Sequence, residues 1–199
     1  ITFDHSITTR NDALLSGISH GIMGCAYSLF YFNNVIAKND YVYSIFLDFL
    51  SWELNEYDAS IENWKDYRKR SEASLGEFAW SHGLPGNYLA LDYFAKNNVS
   101  LAIDFLHTYP AKKAFSYENL LKRKRPINDS LCHGAYGLLN IMKKICPASL
   151  LDHRIFLWSN IVNFIEQDSR NLRIKTADPL GLWVGKTGSL LGSMGILNE

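Results

Sequence analysis

Histidine stands directly before glycine at three places in this 199-residue chain, and a cysteine precedes the last of the three. The residues are His20, His82, Cys132 and His133. Imidazole titrates near neutral pH and suits proton transfer, whereas a thiolate and an imidazole together are donors of the kind that bind zinc. A cysteine at a helix start is also favoured as thiolate by the helix dipole. These residues therefore indicate a metal site, a proton-transfer site, or both.

Each candidate also has a structural interpretation. A histidine at a helix start can serve as a cap or as a hydrogen-bonding group in the core, and an isolated buried cysteine behaves as a small apolar residue. For His20 and His82 this interpretation remains open beside the chemical one. For Cys132 and His133 the repeat described next favours a functional role.

The histidines belong to a repeated small-residue pattern, Gly-x-x-Gly, which occurs four times and is followed each time by an apolar stretch. The first glycines lie 62, 51 and 51 residues apart, which leaves room for two helices per repeat. The four segments are Gly21-Ile22-Met23-Gly24, Gly83-Leu84-Pro85-Gly86, Gly134-Ala135-Tyr136-Gly137 and Gly185-Lys186-Thr187-Gly188.

Apolar residues after the glycines recur at helical intervals, which predicts one buried face per helix. Further amphipathic runs between the glycine motifs predict a second, outer set of helices, so the fold class expected is all-α. Helix N-termini that gather at the glycines would present unpaired N–H groups to one shared centre, toward which the preceding side chains point. The positions in the first inner helix are Ile22, Cys25, Ala26, Leu29 and Phe30, and those in the first outer helix are Phe46, Phe49, Leu50 and Leu54.

Composition excludes several classes of protein. Twenty basic residues balance twenty acidic ones, which argues against nucleic acid or an anionic membrane as partner, and 47% apolar residues suffice for a core. Three scattered cysteines indicate a reducing compartment, and no apolar run approaches the roughly 18 residues of a membrane span. We therefore expect a cytoplasmic protein, without a transmembrane segment.

Other motifs carry less weight. The segment 181–188 lacks the spacing of a phosphate-binding P-loop, and the basic run 122–125 is typical of a solvated helix end. A carboxylate-rich region leaves a glycosidase pair open as an alternative, with tryptophans that could stack on sugars. The residues of this alternative are Asp48, Glu53, Glu56, Asp58, Glu62, Trp52, Trp64 and Trp80.

In order and rough spacing, four segments resemble successive motifs of the lanthionine synthetase C-like family, the lantibiotic cyclases. The ordered set covers nearly the whole chain and is more specific than any one motif. The segments are Ser19-His20-Gly21-Ile22-Met23-Gly24, Trp80-Ser81-His82-Gly83-Leu84-Pro85-Gly86, Cys132-His133-Gly134-Ala135-Tyr136-Gly137 and Gly181-Leu182-Trp183-Val184-Gly185-Lys186-Thr187-Gly188.

The resemblance implies an α/α toroid, a double ring of helices, of which residues 1–199 would form one partial domain corresponding to the C-terminal half. It implies an enzyme that cyclises a precursor peptide by adding cysteine thiols to dehydrated Ser or Thr, with a dehydratase as a further partner. Zinc would bind Cys132 and His133, and His20 would be the general acid or base. Ser81 stands where the family has a third ligand, cysteine; His82 beside it would substitute only if the turn rotates its ring inward, and the side chains of adjacent residues usually diverge. This departure keeps a second function open, a peptide- or protein-binding module without catalysis.

Overall fold

The computed structural model describes residues 14–65, 78–116, 119, 132 and 135–145. Within these ranges the chain is mostly helical, with one short antiparallel pair of strands in which Tyr57 faces Trp64. The elements in chain order are α1 (Ile22–Tyr31), a π-helical turn (Phe32–Ile36), α2 (Asp40–Asn55), β1 (Tyr57–Asp58), β2 (Asn63–Trp64), α3 (Leu84–Lys96), α4 (Ser100–Thr108), α5 (Ala111–Ala114) and α6 (Ala135–Ile145).

Local sequence explains where the main helices begin. The Asn39 side chain accepts the Tyr41 and Val42 amides at 3.0 and 3.1 Å and so caps α2. Helix α3 follows Gly83 and carries Pro85 in its first turn, where the missing N–H has no intrahelical partner to lose. The starts of α2 and α3 therefore follow from their local sequence.

The helices pack in two layers. Helix α3 contacts both α1 and α6, and among the described helices these three follow glycine motifs. Helix α2 packs on α1, α4 packs on α3, and α2 also contacts α4. The predicted all-α fold with inner and outer helices is confirmed.

The core between the layers is aromatic. The ring of Phe30 lies 4.8 Å from that of Phe46 and 5.1 Å from that of Phe94, which joins α1, α2 and α3 through fully buried side chains. The apolar spacing predicts Cys25 on the buried face of α1, and this prediction is wrong. Cys25 is exposed, while Met23 is fully buried. Because α1 packs against both α2 and α3, its buried stripe runs through Met23 rather than Cys25.

The helices in the described ranges were searched for membrane spans. Each is too short or insufficiently apolar to cross a bilayer.

Candidate functional site

In each of the first two motifs, the second glycine leaves space for a main-chain carbonyl oxygen to pack against the inner helix. A Cβ on Gly24 would lie 2.1 Å from the Ile18 oxygen, and a Cβ on Gly86 would lie 1.9 Å from the Trp80 oxygen. Each carbonyl comes six residues before its glycine, so the two turns have a corresponding close contact. Side chains that precede the two motifs therefore occupy equivalent positions.

Main-chain hydrogen bonds align three turns at one end of the inner helices. The Ser19 amide donates to the Ser81 carbonyl at 3.3 Å, and the Ser81 amide donates to the Cys132 carbonyl at 3.1 Å. Each of these residues stands two positions before the first glycine of its motif. We call this series, Ser19 to Ser81 to Cys132, the turn ladder. It agrees with the expectation that the helix starts converge.

Two histidines, His20 and His82, meet beside the turn ladder. The rings of His20 and His82 are stacked, with centroids 5.5 Å apart and planes inclined by 26°. His20 is exposed, whereas His82 is buried. His20 therefore offers an imidazole that a bound molecule can reach.

Ser81 and Cys132 lie side by side. Both are buried, and the Ser81 hydroxyl donates to the Cys132 carbonyl oxygen at 3.1 Å. Cys132 carries a free thiol. His133, predicted as its companion ligand, lies outside the described residues, as do the fourth glycine motif and the basic run 122–125.

The described residues do not fit a complete zinc site. Within the ranges that the structure covers, no group of three or more His, Cys, Asp or Glu side chains is placed to hold a metal ion. Ser81 supplies a hydroxyl in place of a thiolate, and that hydroxyl is bonded to the main chain. A neutral hydroxyl is a poor substitute for the thiolate that zinc prefers, so we derive no reaction step through a metal.

Glu53, on the outer helix α2, supports the site, and the sequence motifs did not predict this role. Its Oε1 accepts hydrogen bonds from the Ser16 hydroxyl, from the Gly17 amide at 3.1 Å and from the Asn87 side chain at 2.8 Å. Burial raises the pKa of Glu53 to about 7 despite these hydrogen bonds, which lower it. A signal was present, because Glu53 continues the buried spacing set by Phe46 and Leu50 on α2.

One of the three tryptophans in the carbohydrate alternative, Trp64, is closed to a ligand. Trp64 is 1% exposed, its ring packs among Tyr57, Tyr88 and Phe105, and its indole N–H donates to the Glu53 carbonyl at 2.6 Å. A side chain so enclosed cannot stack on a sugar. Trp64 is a core residue.

The inner helices begin at the aligned turns, which carry histidine, serine and cysteine, and the outer helices pack around them. This arrangement defines the class of protein as an α/α toroid. The family model "Lanthionine synthetase C-like protein" matches residues 4–199, and the chain belongs to this family. Among solved structures, nisin cyclase, an α/α toroid, matches with a TM-score of 0.61 at 20% sequence identity. The match covers 92% of this chain but 46% of nisin cyclase, so the chain spans less than half the length of that protein. A search of curated proteins gives no significant match.

Proposed function

We propose that this chain is part of a peptide cyclase that adds cysteine thiols of a precursor peptide to dehydrated Ser or Thr residues. The observation that supports the proposal most directly is the turn ladder with the stacked His20 and His82 beside it. Family membership supports the same reaction class. In this proposal, residues 1–199 form one partial domain of the cyclase.

In this proposal His20 handles the proton. The peptide sulfur forms a bond with the β-carbon of the dehydrated residue, and the carbon–carbon double bond becomes an enolate centred on the α-carbon. The thiol proton passes to the neutral imidazole of His20, and the imidazolium so formed delivers that proton to the α-carbon, so the addition is neutral overall and the imidazole is regenerated. His82 holds the ring of His20 by stacking at 5.5 Å.

For metal binding we propose a weakened site. Cys132 and His133 remain the residues that the resemblance assigns to zinc, and Ser81 takes the third position. Losing one of three thiolate or imidazole donors lowers zinc affinity by orders of magnitude, since total site free energies reach around ten kcal/mol or more. Zinc, where bound, would lower the pKa of a substrate thiol.

The test uses the full-length protein that contains this chain and a synthetic peptide with one dehydroalanine and one cysteine. Ring formation is measured as loss of alkylatable thiol by mass spectrometry. His20→Ala is expected to slow ring formation by about 100-fold or more, the usual contribution of a general acid. The matched control is His107→Ala, which removes an exposed imidazole in the last turn of α4 and is expected to leave the rate unchanged. Equal rates for wild type and His20→Ala would contradict the assigned role.

A second function, peptide binding without catalysis, is favoured by one observation, the serine at position 81 with its hydroxyl bonded to the main chain. Under this alternative the same peptide binds to wild-type protein, measured by fluorescence anisotropy, while its thiol persists at all enzyme concentrations. Thiol loss above the uncatalysed rate would exclude it.

The proposal includes a dehydratase as the partner that supplies dehydrated residues, and a cytoplasmic location. The chemistry requires the first, because ordinary Ser and Thr are not electrophiles. The free thiols of Cys25 and Cys132 are consistent with the second.

A further inference from the structure

Glu53 is a carboxyl group enclosed by the protein. It lies near the end of α2, on the face that carries Phe46 and Leu50, and its side chain has no exposed surface. Burying a carboxyl group is costly unless hydrogen bonds compensate. A buried glutamate in this face is therefore expected to have hydrogen-bond donors close by.

Those partners come from the two segments that carry the histidines. Ser16 and Gly17 belong to the turn that leads to His20, and Asn87 lies in the first turn of α3, five residues after His82. One carboxyl oxygen, Oε1, accepts from all three residues. An outer helix thus contacts both histidine-bearing segments through a single atom.

The groups around the carboxyl are neutral. They are the Ser16 hydroxyl and the Gly17 amide from the turn, the Met23 amide from α1 and the Asn87 amide from α3. The pKa of Glu53 is raised by burial, with no charged side chain among the causes of the shift. The carboxyl therefore acts through hydrogen-bond geometry rather than through an ion pair.

Gly17 shows how closely the turns approach at this point. Its φ of +113° is a conformation that favours glycine, and a Cβ there would lie 3.0 Å from the Ser81 oxygen. The residue that Glu53 holds is thus in contact with the turn of His82 as well. A shift of Gly17 would be passed directly to the second turn.

We propose that Glu53 is a positioning residue: its carboxyl ties the Ser16–Gly17 turn to Asn87 and thereby sets the separation of the His20 and His82 rings. The inference rests on the proposed function only in treating these two rings as the site. It assigns Glu53 no contact with substrate. Asn87 and Ser16 share the positioning role as its donors.

The test is the full-length Glu53→Leu protein with histidine rings labelled for NMR. Leucine has no oxygen, so the donors on Ser16, Gly17 and Asn87 lose their common acceptor. We expect the ring signals of both His20 and His82 to shift, while that of His107 on α4 stays in place. Asp48→Asn, which removes an exposed carboxylate from the same helix, is the matched control and is expected to shift neither ring.

Unchanged His20 and His82 signals in folded Glu53→Leu protein would overturn the proposal. Should Glu53→Leu not fold, Ser16→Ala removes a single donor and is expected to move the same two signals by a smaller amount; unchanged signals there would also overturn it. These spectra need no substrate. If the wild-type protein shows no ring-forming activity but the variant spectra show the expected shifts, the proposed function is refuted and the role of Glu53 is supported.

Discussion

At the scale of single residues, a serine and a cysteine occupy corresponding positions in two neighbouring turns. Ser81 occupies the position before His82 that corresponds to Cys132 before His133, and the two are linked through both the amide and the hydroxyl of Ser81. The sequence predicted this proximity through the repeat. It could not predict that the hydroxyl is bonded to the Cys132 carbonyl, because that depends on how closely the two turns approach.

Replacing the serine tests whether position 81 faces the other donors. In the full-length protein, Ser81→Cys is expected to raise zinc affinity at least about tenfold, because a thiolate replaces a neutral hydroxyl beside Cys132. Affinity is measured under reducing conditions by competition with a chromophoric chelator. Ser28→Cys adds an exposed thiol on α1 and is the control. Equal affinities for the two variants would place residue 81 away from the ligands.

The charge of Glu53 predicts a pH dependence of stability. Burial raises its pKa from 4.5 to about 7, so the folded protein binds this proton more tightly than the unfolded chain does. The contribution of protonated Glu53 to the free energy of unfolding is therefore complete below pH 4.5 and is lost as the pH rises to about 7. The free energy of unfolding of wild type, relative to Glu53→Gln, is expected to fall by about 3 kcal/mol across this window.

Urea unfolding of both proteins between pH 4.5 and 8 measures this difference. Asp48→Asn, compared with wild type in the same way, is expected to show no such fall. A difference that stays constant or increases with pH would contradict a raised pKa for Glu53.

At the scale of elements, glycine spacing predicted the inner helices well, and the structure supplies the physical reason. The second glycine of a motif leaves room for the carbonyl that enters six residues earlier. The apolar spacing of α1 was less informative, since Cys25 fits the helical period yet is exposed. The helical period of the apolar residues does not by itself decide which of two adjacent apolar stripes on a helix packs against a neighbouring helix.

Gly86→Ala tests this close contact. The added Cβ would lie 1.9 Å from the Trp80 oxygen, so the turn must move, and a loss of about 3 kcal/mol or more in the free energy of unfolding is expected. Chemical denaturation measures the loss. Asp92→Ala on the same helix removes an exposed ion pair with Lys96 and is expected to cost less than about 1 kcal/mol. A Gly86→Ala protein as stable as this control would show that the turn adapts freely.

At the scale of the whole molecule, one aromatic core joins the inner and outer layers, and the match to nisin cyclase covers less than half of that protein. The sequence could predict the two layers because the apolar periods recur between glycine motifs. It could not predict the packing of Phe30, Phe46 and Phe94, because ring contacts depend on helix crossing geometry. Nor could it predict that Trp64 lies in this core.

A cavity in this core is expected to destabilise the layers together. Phe94→Ala removes a fully buried ring that contacts Phe30 and Phe46, and a loss of about 3–5 kcal/mol is expected. Tryptophan fluorescence and far-ultraviolet circular dichroism are expected to report one common transition. Tyr41→Ala, at an exposed position, is the control with an expected change within about 0.5 kcal/mol. Separate transitions by the two probes would show that the layers unfold independently.

The turn ladder has an evolutionary consequence. Its amide-to-carbonyl bonds use atoms that every residue except proline possesses, so the bonds themselves place little demand on the side chains at positions 19, 81 and 132. Side chains at these positions can therefore differ while the main-chain bonds stay the same. The series already carries serine at positions 19 and 81 and cysteine at position 132, so different donor chemistry fits one scaffold without the invention of a new fold.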